Sequence, residues 1–311
     1  MTDLERAKIA VVGSGAVGCY YGGMLARAGY DVHFLMRSDL QHVRKHGLTI
    51  ETRGEAILLD PVQAAGTPEE IGACDLVIIA LKATANDALV DILPPLIGTD
   101  TALLTLQNGL GNEEFLAERW GSERVLGGLC FVCLNRTGSG LIEHFDHGSL
   151  SIGEFGRGPS DRARQIVEAF VKAGIDANLV ENLVTERWRK LLWNVPFNGL
   201  SIAGAGATVA GVLNDGGLRT LARELMSEVL NAARALGHEI PDDFADYQIE
   251  RSWSMGAYRP SSLIDWELRR PVEVEAIWGE PLRQGVAAGA AMDRLRTLYA
   301  LLKYLTRAER P

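Results

Sequence analysis

The stretch Lys8-Ile-Ala-Val-Val-Gly13-Ser-Gly15-Ala-Val-Gly18 stands near the start of the chain, and helix-forming residues 19–28 follow it. An apolar run, a Gly-x-Gly-x-x-Gly turn and a helix in this order are typical of a dinucleotide-binding site. The first glycine permits the tight turn, the second lets the backbone approach a pyrophosphate, and the third lets the helix pack closely on the strand. The pyrophosphate would lie at the helix N-terminus, where free N–H groups favour an anion. We therefore predict that the cofactor is bound by Gly13, Ser14, Gly15, Ala16, Val17 and Gly18.

The rest of the chain divides into two parts with different patterns. Residues 31–35, 75–81 and 101–106 are short apolar runs of the kind that buried parallel strands need. From about residue 182 onward, long helical segments replace them. A length of 311 residues also favours two domains over one. The predicted fold class is α/β, with a Rossmann-type doubly wound sheet over residues 1–181 and an all-α C-terminal domain over residues 182–311.

The end of the second predicted strand indicates which dinucleotide is bound. NAD enzymes usually carry Asp or Glu there to hold the ribose 2′-hydroxyl, but this chain has Met36-Arg37-Ser38. The Arg37 guanidinium can form a charge-assisted fork with a 2′-phosphate, which an acidic residue would repel. The cofactor is therefore predicted to be NADP(H). Asp39 leaves one alternative open, in which Arg37 is only a solvated residue at the start of a helix.

Two polar residues follow the ends of the next predicted strands. Lys82 comes directly after residues 75–81, and Asn108 comes shortly after residues 101–106. In open α/β sheets, ligands collect at the carboxyl ends of the strands. We therefore expect Lys82 and Asn108 at the cofactor site.

A polar stripe marks the first helix of the second part. Lys190, Asn194 and Asn198 are spaced i, i+4 and i+8 among apolar and aromatic residues, so they share one helix face about 12 Å long. Pro196 lacks an N–H group and is expected to break or kink the helix locally. Buried amides without partners are costly, so the stripe predicts a ligand site. The alternative is a structural hydrogen-bond network between helices.

Composition and charge exclude several classes of protein. The net charge is −9 without a long basic run, which argues against nucleic-acid binding, and no apolar stretch is long enough to cross a membrane. The N-terminus does not resemble a signal peptide, so a cytoplasmic protein is expected. The pair Cys130-Phe-Val-Cys133 lies in an apolar run and is interpreted as strand packing, so no metal site is predicted. Whether the chain forms a homodimer stays open.

Motifs along nearly the whole chain fall in the order of one known family. They are Gly13-Ser-Gly15-Ala-Val-Gly18, Leu81-Lys82-Ala83, Asn108-Gly109-Leu110-Gly111, Trp188-Arg-Lys190 with Asn194 and Asn198, and Ser261-Ser262-Leu263-Ile264-Asp265 with Arg270-Pro-Val-Glu273-Val-Glu275. Together they resemble the ketopantoate reductase (2-dehydropantoate 2-reductase) family. The resemblance implies NADPH-dependent reduction of a small-molecule 2-oxo acid to a 2-hydroxy acid, namely ketopantoate to pantoate in pantothenate biosynthesis.

The resemblance also implies residue roles. Lys190 is expected to be the general acid, and Glu273 is expected to help hold the substrate hydroxyl. Substrate contacts are implied for Asn194, Asn198 and Ser262, and nicotinamide or active-site contacts for Lys82 and Asn108.

Three departures from the family pattern keep alternatives open. Trp278 stands where the family has a small amide, Pro196 lies between the two asparagines, and residues 285–298 are rich in alanine. If Trp278 reshapes the pocket wall, the chain is a paralogue that reduces another branched or larger 2-oxo acid. A non-catalytic NADP(H)-binding sensor is a further alternative, although a sensor has no need of the proton donor Lys190.

Overall fold

The structure, a computed structural model, describes residues 4–307 and divides them into two compact units. The first unit comprises the described residues up to Gln107 together with Asn112–Leu183. The second comprises Asn108–Gly111 and the described residues from Val184 onward. The short segment Asn108–Gly111 thus groups with the second unit, although it follows a strand of the first.

The first unit is built on one ten-stranded sheet with helices on its faces. Its strands are β1 Lys8–Val12, β2 Asp31–Leu35, β3 Leu48–Thr52, β4 Glu55–Leu59, β5 Gln63–Ala65, β6 Cys74–Ile79, β7 Ile97–Thr105, β8 Val125–Gly138, β9 Leu141–Glu154 and β10 Ala177–Leu179. Its helices are α1 Ala16–Arg27, α2 Leu40–His46, α3 Pro68–Ile71, α4 Leu89–Ile92, α5 Asn112–Trp120 and α6 Asp161–Lys172.

The strand order confirms the predicted Rossmann-type sheet and adds to it. The order is β4-β3-β9-β8-β7-β6-β1-β2-β5, with β10 beside β9. Strand β1 pairs in parallel with both β2 and β6, so the chain changes direction across the sheet at β1. Such a switch point is where α/β sheets bind ligands. The sheet is mixed rather than wholly parallel, because β3 pairs antiparallel with β4 and β8 with β9.

Strand β1 is apolar throughout because both faces of the sheet are covered. Ile9 and Val11 pack into one core with residues of α1 and α6, whereas Ala10 and Val12 pack into a second core with residues of α3, α4 and α5. All four side chains are fully buried. A strand covered on both faces needs a continuous apolar run rather than alternation.

The second unit is helical. Its helices are α7 Leu183–Ala203, α8 Val209–Asn214, α9 Gly216–Ala235, α10 Phe244–Ser252, α11 Ser261–Glu267, α12 Glu280–Ala287 and α13 Asp293–Leu305, with a π-helical turn at Glu275–Gly279 before α12. Within residues 4–307, no helix combines the length and the apolar character that a membrane crossing requires.

The long helix α7 passes through Pro196 without interruption, so the predicted local break is wrong. Val195, Pro196 and Phe197 are all buried, and the tertiary packing around them holds the helical conformation. The indole Nε1 of Trp278 donates to the carbonyl oxygen of Val195 at 2.9 Å. This contact ties the helix to Trp278 beside the proline, whereas the carbonyl that loses its helical donor to the proline is that of Leu192.

Candidate active site

The glycine turn leaves room at the N-terminus of α1. Gly13 has φ = +100°, and a Cβ there would overlap the backbone of Leu81, so only glycine fits. Gly15 is the N-cap residue of α1, and a Cβ built on it meets no atom within 4 Å. The first turn of α1 has neither an acidic residue nor a side-chain cap. The end of the helix is therefore open and suited to an anion.

The turn is also tied to the end of the second strand. The Ser14 hydroxyl donates to the carbonyl oxygen of Leu35 at 2.8 Å. This bond fixes the distance between the glycine turn and the residues that follow β2. A dinucleotide bound at α1 would extend toward the end of β2, as it does in Rossmann domains.

The two charged residues after β2, Arg37 and Asp39, have different environments. Asp39 is 8% exposed, pairs with Arg136 at 3.1 Å and accepts a hydrogen bond from Ser38 Oγ at 2.9 Å. Arg37 is exposed, and no carboxylate of residues 4–307 is paired with its guanidinium. The Asp39 charge is thus neutralised by Arg136, and the Arg37 charge stays available for a ligand.

A polar network lies at the carboxyl ends of β6 and β7, and sequence reasoning did not identify it. Gln107 Nε2 donates to Asn86 Oδ1 at 2.7 Å, and Asn86 Nδ2 donates to Asn112 Oδ1 at 3.0 Å. Thr105 Oγ1 donates to Gln107 Oε1 at 2.9 Å. Lys82 lies three residues after the end of β6 and is the N-cap of the 3-10 turn Ala83–Ala88, which carries Asn86. The position of Gln107 at the end of a strand, beside Asn108, is the sequence feature from which this network could have been predicted.

In the second unit, two predicted site residues are brought into direct contact. The Lys190 ammonium donates to Asn108 Oδ1 at 2.8 Å. Asn108 is held there because Leu110 N donates to the carbonyl oxygen of Ala276 at 2.9 Å. Gly109, with φ = +86°, lies so close to Ala276 that a Cβ would overlap its carbonyl group. The segment Asn108–Gly111 is therefore docked on the π-helical turn, and this docking fixes the partner of Lys190.

The rest of the stripe is buried and partly satisfied. Asn198 is 2% exposed, and its Oδ1 accepts from the backbone N–H of Ser262, itself 3% exposed, at 3.0 Å. This bond joins α7 to the first turn of α11. For the Oδ1 atom of Asn198, the alternative of a structural hydrogen bond between helices therefore applies. Asn194 is 8% exposed and lies one turn from both Lys190 and Asn198. Glu273 is 9% exposed and lies two residues before the π-helical turn on which Gly109 docks.

Trp278 belongs to the core and not to a pocket wall. Its side chain is fully buried, its Nε1 bonds the Val195 carbonyl, and a Cβ at Gly199 would come within 2.9 Å of that nitrogen. A side chain without accessible surface cannot select among substrates by contact. Within the alanine-rich segment, Gly285 packs against α9, because a Cβ there would come within 2.9 Å of Ala232.

Comparisons with known proteins agree with these motifs. The family model described as ketopantoate reductase PanE/ApbA matches residues 9–157, and the model of its C-terminal domain matches residues 182–306. The 2-dehydropantoate 2-reductase of Nostoc sp. is 41% identical over 97% of this chain and 96% of that protein. The 2-dehydropantoate 2-reductase of Mesorhizobium japonicum is 33% identical over 87% and 89% of the two chains.

A solved structure gives the same result for the fold. The crystal structure of 2-dehydropantoate 2-reductase from Geobacter metallireducens GS-15 matches with a TM-score of 0.92 and 41% identity, over 95% of this chain and 99% of that one. The predicted resemblance is thereby confirmed. The chain belongs to the ketopantoate reductase PanE/ApbA family of oxidoreductases.

Proposed function

We propose that the protein reduces a 2-oxo acid to a 2-hydroxy acid with NADPH, and that its substrate is ketopantoate, which becomes pantoate for pantothenate biosynthesis. The observation that carries the proposal is the 2.8 Å bond from Lys190 Nζ to Asn108 Oδ1, on a helix face that also carries buried Asn194 and Asn198. The names of the two relatives and the Geobacter structure support the choice of substrate. In this proposal residues 1–181 bind NADP(H), and residues 182–311 bind the substrate.

The first unit fits a dinucleotide cofactor. The open N-terminus of α1, with Gly15 facing free space, suits the pyrophosphate, and the exposed guanidinium of Arg37 suits a 2′-phosphate. Lys82, three residues after β6, would complete the site at the carboxyl edge of the sheet. When bound, the cofactor supplies the hydride that reduces the keto carbon.

The second unit supplies the proton. A lysine ammonium stabilises the negative charge that develops on the carbonyl oxygen, and it can donate its proton to that oxygen. Lys190 would then be a neutral amine that regains a proton from solvent. The Asn108 amide oxygen accepts from the ammonium and so fixes its direction. In this proposal Lys190 is the general acid and Asn108 is its positioning partner.

Buried polar groups would hold the acid in place. The amides of Asn194 and Asn198 and the hydroxyl of Ser262 can donate to the substrate carboxylate. Glu273 can accept from the hydroxyl that the reaction forms. Orientation by several fixed groups lowers the entropic part of the barrier, which is the main contribution such groups make.

The test is loss of NADPH absorbance after ketopantoate is added, repeated with NADH and with a panel of other 2-oxo acids. We expect turnover that is fastest with ketopantoate and NADPH. Faster turnover of a different acid would assign the chain to a paralogue. NADPH binding without turnover of any acid would contradict the reductase and favour a sensor.

Gly109→Ala tests the docking of the segment that carries Asn108. The added Cβ meets the Ala276 carbonyl at a left-handed backbone position, so we expect a stability loss of about 1–3 kcal/mol and at least tenfold lower turnover. Urea unfolding and the ketopantoate assay measure the two effects. Gly29→Ala is the matched control, because Gly29 has φ = +93° but open space around it. Equal effects of the two substitutions would mean that the contact between Gly109 and Ala276 does not position Asn108.

A further inference from the structure

Trp193 lies on α7 between Lys190 and Asn194 in the sequence, two residues that the proposed reaction uses. It is three residues after Lys190 and one before Asn194, and it is only partly buried. Side chains three residues apart on a helix are neighbours, with Cβ atoms about 5–6 Å apart. Long helical side chains also lean toward the preceding turn. Trp193 and Lys190 are therefore neighbours on the surface of α7.

The Trp193 ring is held in one orientation by three contacts. Its Nε1 donates to Ser252 Oγ at 2.9 Å, and Ser252, which is fully buried, donates in turn to the carbonyl oxygen of Gln248 at 2.6 Å. The Phe197 ring stacks on the indole, with centroids 5.0 Å apart and planes 29° apart. The Tyr258 ring lies 6.3 Å away at 49°. Rotation of the indole would break a buried hydrogen bond and a stacking contact.

A 2-oxo acid has a polar end and an apolar end. Helix α7 likewise carries a polar stripe with aromatic side chains beside it. The carboxylate and the keto group need the polar groups of Lys190, Asn194 and Asn198. The remaining substituent is apolar near the keto carbon and needs an apolar surface. Trp193 and Phe197 lie along the edge of the polar stripe, and Trp193 keeps accessible surface whereas Phe197 has none.

We infer that the face of Trp193, with Tyr258 beside it, is the apolar wall that sets how large a substituent the substrate can carry at the carbon next to its keto group. Ser252 is a positioning residue that acts through Trp193. The inference rests on the proposed reduction of a 2-oxo acid and adds the residue that selects among such acids.

The experiment measures kcat and KM with NADPH for four acids of increasing bulk: pyruvate, 3-methyl-2-oxobutanoate, ketopantoate and phenylglyoxylate. For Trp193→Ala we expect kcat/KM for ketopantoate to fall about 10–100-fold, mostly through KM. We expect kcat/KM for pyruvate to stay within about threefold, and the ratio of phenylglyoxylate to ketopantoate to rise at least about tenfold. Ser252→Ala should shift the same ratio in the same direction by a smaller factor.

The matched control is Trp266→Phe. Trp266 is also a partly buried tryptophan of the second unit, and its Nε1 donates to the Leu305 carbonyl at 3.0 Å. Its substitution should leave the substrate ratios unchanged. If Trp193→Ala does not fold, Trp193→Phe carries the test with a smaller expected shift in the same direction.

The outcomes separate this inference from the proposed function. An equal fall in kcat/KM for all four acids, pyruvate included, would overturn the role of Trp193 and leave the reductase intact. Wild-type protein that turns over none of the acids would overturn the reductase and the inference with it. A change in the ratios with the wild type active on ketopantoate would support both.

Discussion

Replacement of Lys190 by alanine is expected to lower kcat for ketopantoate about 10³-fold while the dissociation constant for NADPH stays within about twofold. General acids contribute about 10²–10⁴-fold, and loss of the ammonium also removes the charge that stabilises the developing oxyanion. The residues proposed to hold the cofactor phosphates lie in the first unit, whereas Lys190 lies on α7 of the second. The change should therefore affect the chemical step far more than cofactor binding.

Single-turnover absorbance measurements and NADPH fluorescence titrations give the two quantities separately. Asn108→Ala provides an intermediate case, since it keeps the ammonium but removes the oxygen that accepts from it at 2.8 Å, and about a tenfold loss is expected. Lys303→Ala is the control, because Lys303 is an exposed lysine of the same unit. Near-normal turnover by Lys190→Ala would remove Lys190 from the role of general acid.

The parts of the fold that the sequence predicted are those set by local chemistry. Strands β1 and β2 have the predicted bounds, and α1 begins three residues earlier than predicted, at Ala16. A glycine turn between an apolar strand and a helix can be recognised without knowledge of distant residues, because the steric need for glycine is local. The helical second unit was likewise predicted from the periodicity of its segments.

The long hairpin of β8 and β9 was not predicted. Each strand is 14 residues long, and the pairing register shifts at three places between Phe131 and Gly138. Bulges of this kind interrupt the alternation that marks a strand in the sequence. The parallel pairing of β9 with β3 also joins segments far apart in the chain. Such pairing depends on tertiary contacts that periodicity does not contain.

In the candidate site too, some features follow from local sequence and others depend on tertiary contacts. The stripe of Lys190, Asn194 and Asn198 follows from helical spacing alone, and the structure confirms the helix that carries it. The bond between Asn108 and Lys190 depends on the docking of Gly109 against Ala276, which no local pattern encodes. Trp278 shows the converse error, since a departure from the family pattern suggested a pocket residue and the side chain proved to be core.

Replacement of Arg37 by aspartate is expected to raise the dissociation constant for NADPH about 10²–10³-fold, with that for NADH changed by less than about threefold. Hydrogen bonds to charged groups are worth about 1.5–3 kcal/mol each, and a guanidinium can make two with one phosphate. The introduced carboxylate would also repel a 2′-phosphate, whereas it can accept from the ribose hydroxyl of NADH. The ratio of kcat/KM values for the two cofactors measures the switch.

Arg27→Ala is the matched control, because Arg27 is an exposed arginine at the C-terminal end of α1, away from the glycine turn. It should leave both cofactors unaffected. The prediction depends on Asp39 staying engaged with Arg136, since an Asp39 released from that pair could bind a ribose hydroxyl itself. Equal losses for NADPH and NADH would mean that Arg37 holds a part common to both cofactors, and the choice of NADP(H) would then have to rest on other residues.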